Sequence, residues 1–356
     1  MIKVLVTGGC GFIGSNFIRH ILGNREHVKV INLDKLTYAG NPANLTDVAR
    51  NFAPDRYRFV KGDISDWEVV KEIFSRNDID WVVNFAAESH VDRSIEGPEE
   101  FLQTNIIGTF RLLEAARQIW PATLSSGTGK RFLHISTDEV YGSLDVEGYF
   151  TEKTPYDPSS PYSASKAASD HLVKAYHRTY SLPTIITNSS NNYGPYQFPE
   201  KLIPLIVTNA IKGKILPVYG DGKNVRDWLY VGDHCSALLA VLEKGAPGEK
   251  YNIGSNCERR NIDVVTTICD YLDTRLGFLG GNPRRKLIQS VTDRLGHDRR
   301  YAIDATKVHH ELQWEPTVSF EQGIIDTIEW YLNHMDWVAD IESGRYREHR
   351  SKGNHD

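Results

Sequence analysis

Three groups of residues have the types and spacing to do chemistry. The first is Gly8-Gly9-Cys10-Gly11-Phe12-Ile13-Gly14, with glycines 8, 11 and 14 at steps of three between an apolar run and a helical pattern. Glycine there lets the backbone turn tightly and approach a pyrophosphate held at a helix N-terminus. Asp34 closes the next apolar run about 20 residues later, where a carboxylate accepts both hydroxyls of an adenosine ribose and repels a 2′-phosphate. NAD is therefore expected rather than NADP. Asp63, at the end of the third run, is a weaker candidate for the adenine edge, because Gly-Asp is also ordinary turn chemistry.

The second group is Tyr162-Ser-Ala-Ser-Lys166, whose phenol and ammonium stand four apart and share one helix face. An ammonium beside a phenol favours the phenolate, so Tyr162 is expected to have a lowered pKa and to serve as a base near neutrality. The third is Thr137-Asp138-Glu139 in the segment Ser136 to Gly142, directly after an apolar run. Ligands of open parallel sheets bind beyond the carboxyl ends of strands, which puts this segment on the same crevice as the glycine turn. Thr137 can hydrogen-bond a reacting alcohol. The two carboxyl groups supply an acid and a base if their surroundings split their pKa values.

The elements that must position these groups follow from periodicity. Short β-branched runs at Lys3–Thr7, Val28–Leu33, Tyr57–Lys61, Trp81–Phe85, Arg131–Ser136 and Thr184–Thr187 alternate with helical patterns at Gly14–Leu22, Asp66–Arg76, Glu99–Ile119 and Tyr162–Tyr180. That alternation predicts an α/β fold of the Rossmann type, a doubly wound parallel sheet with crossover helices. Ser160 as N-cap and Pro161 at the first helical position open the last helix. Residues 121–130 read as a loop. After about Ser189 turn-rich pieces alternate with helices near Lys201–Lys212, Asp233–Lys244, Ile262–Leu276 and Phe320–Leu332. We divide the chain into a dinucleotide-binding domain (residues 1–188), a smaller substrate-binding lobe with segments returning to the sheet (189–341), and a polar tail (342–356) with too little apolar matter to pack.

Composition narrows the function classes. Of the 356 residues 40% are hydrophobic and 24% charged, and the net charge is -5, so nothing general draws the chain to nucleic acid or to an anionic membrane. No apolar stretch approaches the ~20 residues of a membrane span. Cys10, Cys235, Cys257 and Cys269 show no metal-ligand or redox spacing, and no metal is expected. The run Ile2–Val6 ends at once in Thr7-Gly8-Gly9, unlike a secretory signal, and a cytoplasmic location is expected.

Longer strings make the reading more specific: Asp34-Lys35-Leu36-Thr37-Tyr38-Ala39-Gly40, Ala86-Ala87-Glu88-Ser89-His90-Val91-Asp92-Arg93-Ser94, Ser190-Asn191-Asn192-Tyr193-Gly194-Pro195, Arg226-Asp227-Trp228 and Asp293-Arg294-Leu295-Gly296-His297-Asp298. Together with the three groups above, the chain from Ile2 to about Trp337 resembles the extended short-chain dehydrogenase/reductase family, and within it the nucleotide-sugar 4,6-dehydratases. The resemblance implies dTDP-glucose as substrate, a tightly held NAD regenerated in each turnover, and a homodimer joined through the helices at Glu99–Ile119 and Tyr162–Tyr180. It implies that Tyr162, helped by Lys166 and Thr137, takes the C4 hydroxyl proton as hydride passes to NAD+. The C4 ketone acidifies C5, Glu139 removes the C5 proton, Asp138 protonates the departing C6 hydroxyl, and hydride returns to C6. The product is a 4-keto-6-deoxy sugar.

By the same resemblance the cofactor is lined by Gly8, Gly11, Phe12, Ile13, Gly14, Asp34, Lys35, Leu36, Thr37, Asp63, Ile64, Phe85, Ala86, Ala87, Ser89, Thr104, Tyr162, Lys166 and Asn192. The nucleotide sugar is held by Ser89, Thr137, Asn191, Lys201, Leu202, Pro217, Val218, Tyr219, Arg226, Asn261, Asp293, Arg294, His297 and Asp298. Lys201, Arg226 and Arg294 suit a diphosphate; His90 and His297 are expected to be orienting or structural groups rather than catalysts. Asn188 stands where the family carries arginine, and Leu295 where proline is common. A 4-epimerase of nucleotide sugars would need Tyr162, Lys166 and NAD but no acid and base pair, so Asp138 and Glu139 separate the two readings. A dehydratase of another nucleotide sugar differs only in substrate, and a redox-sensing NAD-binding module would lack the tyrosine and lysine pair.

Overall fold

Seven short runs rich in Val, Ile and Leu pair side by side, all parallel, in the computed structural model, which describes residues 1–120 and 129–350. In chain order β1 (Ile2–Thr7), α1 (Phe12–Asn24), β2 (Val28–Asp34), α2 (Thr46–Phe52), β3 (Tyr57–Lys61), α3 (Trp67–Arg76), β4 (Trp81–Asn84) and α4 (Val91–Glu96) come first. Then α5 (Glu99–Phe101) continues through a π-helical stretch, Leu102–Gly108, into α6 (Thr109–Ile119). β5 (Arg131–Thr137), α7 (Pro161–Tyr180) and β6 (Thr184–Ser189) follow. The remainder holds β7 (Asn191–Tyr193), α8 (Leu202–Lys212), β8 (Leu216–Tyr219), β9 (Val225–Tyr230), α9 (Val231–Lys244), β10 (Lys250–Ile253), β11 (Glu258–Arg260), α10 (Asn261–Leu276), β12 (Ile288–Val291), α11 (Thr306–Leu312), α12 (Phe320–Asn333) and α13 (Met335–Glu342).

The sheet order is β10-β6-β5-β4-β1-β2-β3, the doubly wound arrangement expected from the alternation. β10 is a segment that returns to the sheet, with Lys250 opposite Ile186. Two small sheets, β11-β9-β7 and β12-β8, lie outside it. On one face of the large sheet Phe17, Ile18 and Ile21 of α1 pack with Leu238, Val241 and Leu242 of α9; on the other, Phe74, Leu112, Leu113 and Val173 come from α3, α6 and α7. A third core joins α8, α10 and α12 through Ile206, Val207, Val264, Ile268, Ile324 and Ile328. Each such side chain contributes about 1.5–3 kcal/mol of burial. Among the described residues no helix is long and apolar enough to cross a membrane.

Helix starts follow their caps. Ser160 accepts from the Ser163 amide while the Ser163 hydroxyl accepts from the Ser160 amide, and Pro161 opens α7 as expected. Asp66 caps α3 by accepting from the Glu68 and Val69 amides, so that helix begins one residue later than expected. α1 begins at Phe12, two residues before the expected Gly14, with Gly11 as an N-cap that has no side chain to occupy the first amides.

Residues 121–128, within the expected loop, lie outside the described residues, as do residues 351–356 of the tail. The rest of the tail departs from expectation. Tyr346 is buried, its hydroxyl donates to the Tyr38 carbonyl at 2.6 Å, and its ring meets Phe198 edge-on with centroids 6.2 Å apart. One aromatic side chain with a polar tip suffices to dock a polar segment. Replacing Tyr346 with Ala is expected to cost about 3 kcal/mol of stability in urea unfolding, as large-to-small substitutions at packed aromatic sites do.

Candidate active site

The winding of the sheet reverses between β1 and β4, and the crevice opens beyond their carboxyl ends. β1 delivers the chain into Gly8, whose φ of 67° lies in the left-handed region and where a Cβ would sit 2.7 Å from the Ala86 backbone. At Gly14 a Cβ would lie 2.4 Å from the Gly8 carbonyl oxygen, so the start of α1 packs directly on the turn. The first-turn amides of α1 have no acceptor within the helix and no cap, and the positive end of the helix dipole is open to an anion. Asp34, at the end of β2, accepts from the Cys10 amide at 2.8 Å and the Leu36 amide at 2.7 Å. That carboxylate therefore also fixes the glycine turn.

A cavity of about 320 Å³ occupies the crevice. Every residue expected around the cofactor lines it except Leu36, which is buried with a φ of 61° and turns the backbone behind Asp34. Lys35 reaches Asp63 at 2.7 Å, an ion pair on this wall. Residues not singled out one by one also line it, among them Tyr38, Gly62, Glu88, Gln197, Phe198 and Glu200. Tyr38 and Glu88 were legible only as members of longer strings. Gln197 to Glu200 carry no local signal; they arrive because Tyr38 and Phe198 meet edge-on at 5.6 Å and Glu200 pairs with Arg93 at 3.0 Å. His90, 3.7 Å from Glu200, is held neutral by burial and by nearby Lys201, its pKa falling to about 4.

Thr137, Asp138, Glu139, Tyr162 and Lys166 line the same cavity. Thr137 ends β5 and caps the short 3₁₀ turn Asp138–Tyr141, accepting from the Glu139 amide at 3.2 Å. Its hydroxyl donates to Asp138 Oδ1 at 3.3 Å and is also the hydrogen-bond partner of the Tyr162 phenol. Asp138 is 2% exposed and its Oδ2 has no hydrogen-bond partner. Burial, then the charges of Glu139 and Asp227, push its pKa well above the usual carboxylate value. Burial also raises Glu139, but Arg226, Lys201 and Arg294 oppose it. Both adjacent carboxyls are thus raised, Asp138 well above the usual carboxylate value and Glu139 against the pull of the cations around it.

The Tyr162 phenol departs from expectation. Burial and then Glu139 raise its pKa well above the ordinary phenol value, rather than lowering it. Lys166 shares its helix face, but its Nζ donates to the Ile135 carbonyl at 2.7 Å, and burial lowers the ammonium pKa to about 8. The i, i+4 spacing places the two side chains together without showing what else the ammonium touches.

Of the residues expected to hold a nucleotide sugar, Ser89, Thr137, Asn191 and Lys201 line the cavity. The others do not. Arg226 is buried and donates to the carbonyls of Val225, Asp298 and Arg299, with its guanidinium 4.2 Å over the Tyr301 ring. Val218 and Leu202 pack in or against the third core, Pro217 pairs with Gln289, and Asn261 opens α10. Arg294 lies 4.8 Å over Tyr219 and 3.4 Å from Asp92, His297 is 2.6 Å from Asp293, and Asp298 accepts from Ser159. The charge of Arg294 nevertheless acts on both Glu139 and Lys201, so this cluster adjoins the cavity. Asn188 is buried and donates to the Thr137 carbonyl and to Asp170, while Leu295 is exposed. Among the described residues no set of three or more His, Cys, Asp and Glu is placed to hold a metal ion.

A family model described as GDP-mannose 4,6 dehydratase matches residues 5–327. The chain is 57% identical to a dTDP-glucose 4,6-dehydratase of Xanthomonas campestris over 97% of each chain. The structure of a dTDP-glucose 4,6-dehydratase from Bacillus anthracis in complex with NAD superposes with a TM-score of 0.83 at 49% identity, covering 95% of this chain and 98% of that one. Another, from Streptomyces venezuelae with NAD and a second ligand bound, gives 0.85 at 46% identity over 94% and 98%.

The raised Asp138 carboxyl has a cost that can be measured. A carboxyl whose folded pKa lies above its unfolded value is stabilising below about pH 4 and costs stability as pH climbs from there toward the folded value. Asp138→Asn is therefore expected to melt higher than the parent at about pH 8, with the difference vanishing near pH 4. Calorimetric scans across that range check it.

Proposed function

The chain belongs to the family of the GDP-mannose 4,6 dehydratases, and we propose for it the reaction of its dTDP-glucose-converting relatives, with the residues around its cavity in the roles that follow. The chain is an NAD-dependent hydro-lyase that converts dTDP-glucose to dTDP-4-keto-6-deoxyglucose. The observation that carries the residue assignment is the buried Asp138 beside Glu139, with Tyr162 on the same wall. A reaction that only oxidised and reduced C4 would have no use for a second acid and base.

The cavity suits NAD. The uncapped start of α1 and the close approach of backbone allowed at Gly8 favour a pyrophosphate, and Asp34 offers lone pairs to ribose hydroxyls while disfavouring a 2′-phosphate. When bound, NAD supplies a reversible hydride acceptor. Tyr162 then takes the proton of the C4 hydroxyl, which Thr137 orients, and the charge of Lys166 offsets the phenolate. Glu139 removes the proton from C5, made acidic by the neighbouring ketone. Asp138 gives its proton to the C6 hydroxyl as water leaves. Lys201, whose Nζ donates to the Ser89 carbonyl at 3.1 Å, and Arg294 carry the positive charge for a diphosphate.

Residues 1–188 serve as the dinucleotide-binding part, 189–341 as the sugar-nucleotide part, and the tail from 342 braces the aromatic wall. Leu102, Ile107, Ile119 and Tyr180 leave apolar surface exposed on the helices expected to pair, which supports a homodimer. Sedimentation as a dimer, lost when Leu102 and Ile107 become Glu, tests that assembly.

Incubation with dTDP-glucose is expected to yield a keto sugar with a base-induced ultraviolet chromophore and no consumption of added nicotinamide. Tyr162→Phe is expected to lower kcat by about 10²–10⁴-fold while NAD stays bound. Asp138→Asn with Glu139→Gln is expected to permit C4 oxidation but block loss of water. An epimerised sugar without chromophore would decide for a 4-epimerase, and turnover only with UDP-, CDP- or GDP-linked hexoses would decide for another substrate.

A further inference from the structure

Under the reacting end of α7 runs a buried polar string that the steps above leave unused. The Thr7 hydroxyl donates to Asn84 Oδ1 at 2.6 Å, which turns the amide nitrogen of Asn84 toward Thr109 and toward His134 Nδ1, each at 3.2 Å. His134 Nδ1 thus accepts, and the neutral ring carries its proton on Nε2. That atom faces Asp170 Oδ1 at 3.5 Å, and neither of the two has a closer partner. The other oxygen of Asp170 accepts from Ser136 at 2.9 Å, Tyr156 at 2.8 Å and the Asn188 amide at 3.3 Å. Asp170 and His134 are 2% and 1% exposed.

Burial raises the pKa of this carboxyl, and the charge of Lys166 with the hydrogen bonds donated by Tyr156, Ser136 and Asn188 opposes that rise and favours the ionised form. Lys166 stands one helical turn earlier, equally buried, and its hydrogen bond goes to an uncharged carbonyl. A buried ammonium needs a counter-charge as well as a hydrogen bond. Resting on the reaction assigned above, we propose that Asp170 is a positioning residue for it: an internal counter-ion that keeps Lys166 in its ammonium form, and so keeps Tyr162 usable as a base.

The titratable groups facing the pair are Tyr162 on α7, His134 on β5, Tyr141 and Tyr156 between β5 and α7, and Lys250 on β10 with Glu152 and Lys174 near it. His134 is driven neutral by burial and the tyrosines are held as phenols, which leaves Asp170 and Glu152 as the carboxyl groups and Lys166, Lys174 and Lys250 as the amines of this region. Lys250 donates to the Tyr156 hydroxyl at 3.4 Å and is the competing cation. The sign is fixed by this arrangement. Without the carboxylate, Lys166 loses its proton at a lower pH than in the parent.

In the holoenzyme, Asp170→Asn is expected to move the alkaline limb of the kcat profile down by about one pH unit or more, lowering kcat roughly tenfold near pH 8 with KM within about twofold. Lys250→Met is expected to leave that limb in place. A second readout needs no turnover: the ultraviolet titration of Tyr162, taken as the difference between each protein and its Tyr162→Phe counterpart, should shift to higher pH in Asp170→Asn. Should the asparagine variant not fold, Asp170→Ser is the second neutral replacement, with the same shifts expected. A folded neutral variant with parental kcat profile and phenol titration overturns the proposal, as does a Lys250→Met protein that reproduces the shift. Absence of dehydration in the parent, with the phenol shift intact, would instead count against the substrate assignment alone.

Discussion

The structure depends on removing adjacent carboxyl groups from water at the end of one strand. Asp138 and Glu139 follow β5, the strand at the centre of the sheet's later half, and neither can relax into solvent without unmaking the 3₁₀ turn that Thr137 caps. In water two neighbouring acids would both ionise. In this cleft burial opposes both charges, and three cations oppose that effect at Glu139, whereas only Arg226 does so at Asp138. The difference between the two carboxyls thus depends on where Lys201, Arg226 and Arg294 lie, and those residues come from three segments far along the chain.

Arg226 acts on both carboxyls although it is not among the residues that line the cavity. Its hydrogen bonds all go to backbone carbonyls, so the guanidinium is locked in place and its charge acts at a fixed distance. The resemblance implies that it holds a diphosphate, and an arginine in a sequence gives no hint of which carbonyls engage its donors.

Much of the fold and part of the site were legible from local patterns. Ser160 and Pro161 announce α7, and the glycines at 8, 11 and 14 announce the turn because a side chain at Gly8 or Gly14 would collide with backbone. The pocket members Gln197, Phe198 and Glu200 were not legible, since long-range aromatic and ionic contacts bring them in. The tail was misread because one docked aromatic, Tyr346, outweighs a polar composition. The direction of the Tyr162 pKa was not legible because spacing shows neighbours along a helix but neither the burial around them nor the carbonyl that engages Lys166.

The π-helical stretch Leu102–Gly108 has a bearing on how this chain tolerates change in length. It lets Thr104 face the cleft while Asn105 points to α7, bonding the Glu88 backbone and the Ser165 hydroxyl, and its own carbonyl accepts from Ser169. A π turn holds one residue more than an α turn, so deleting one residue here would restore regular winding and leave later side chains close to their places, while Thr104 and Asn105 would lose the directions that the wide turn gives them. Local geometry would improve while both contacts were lost, making this wide turn a place where evolution is expected to accept substitutions but not deletions.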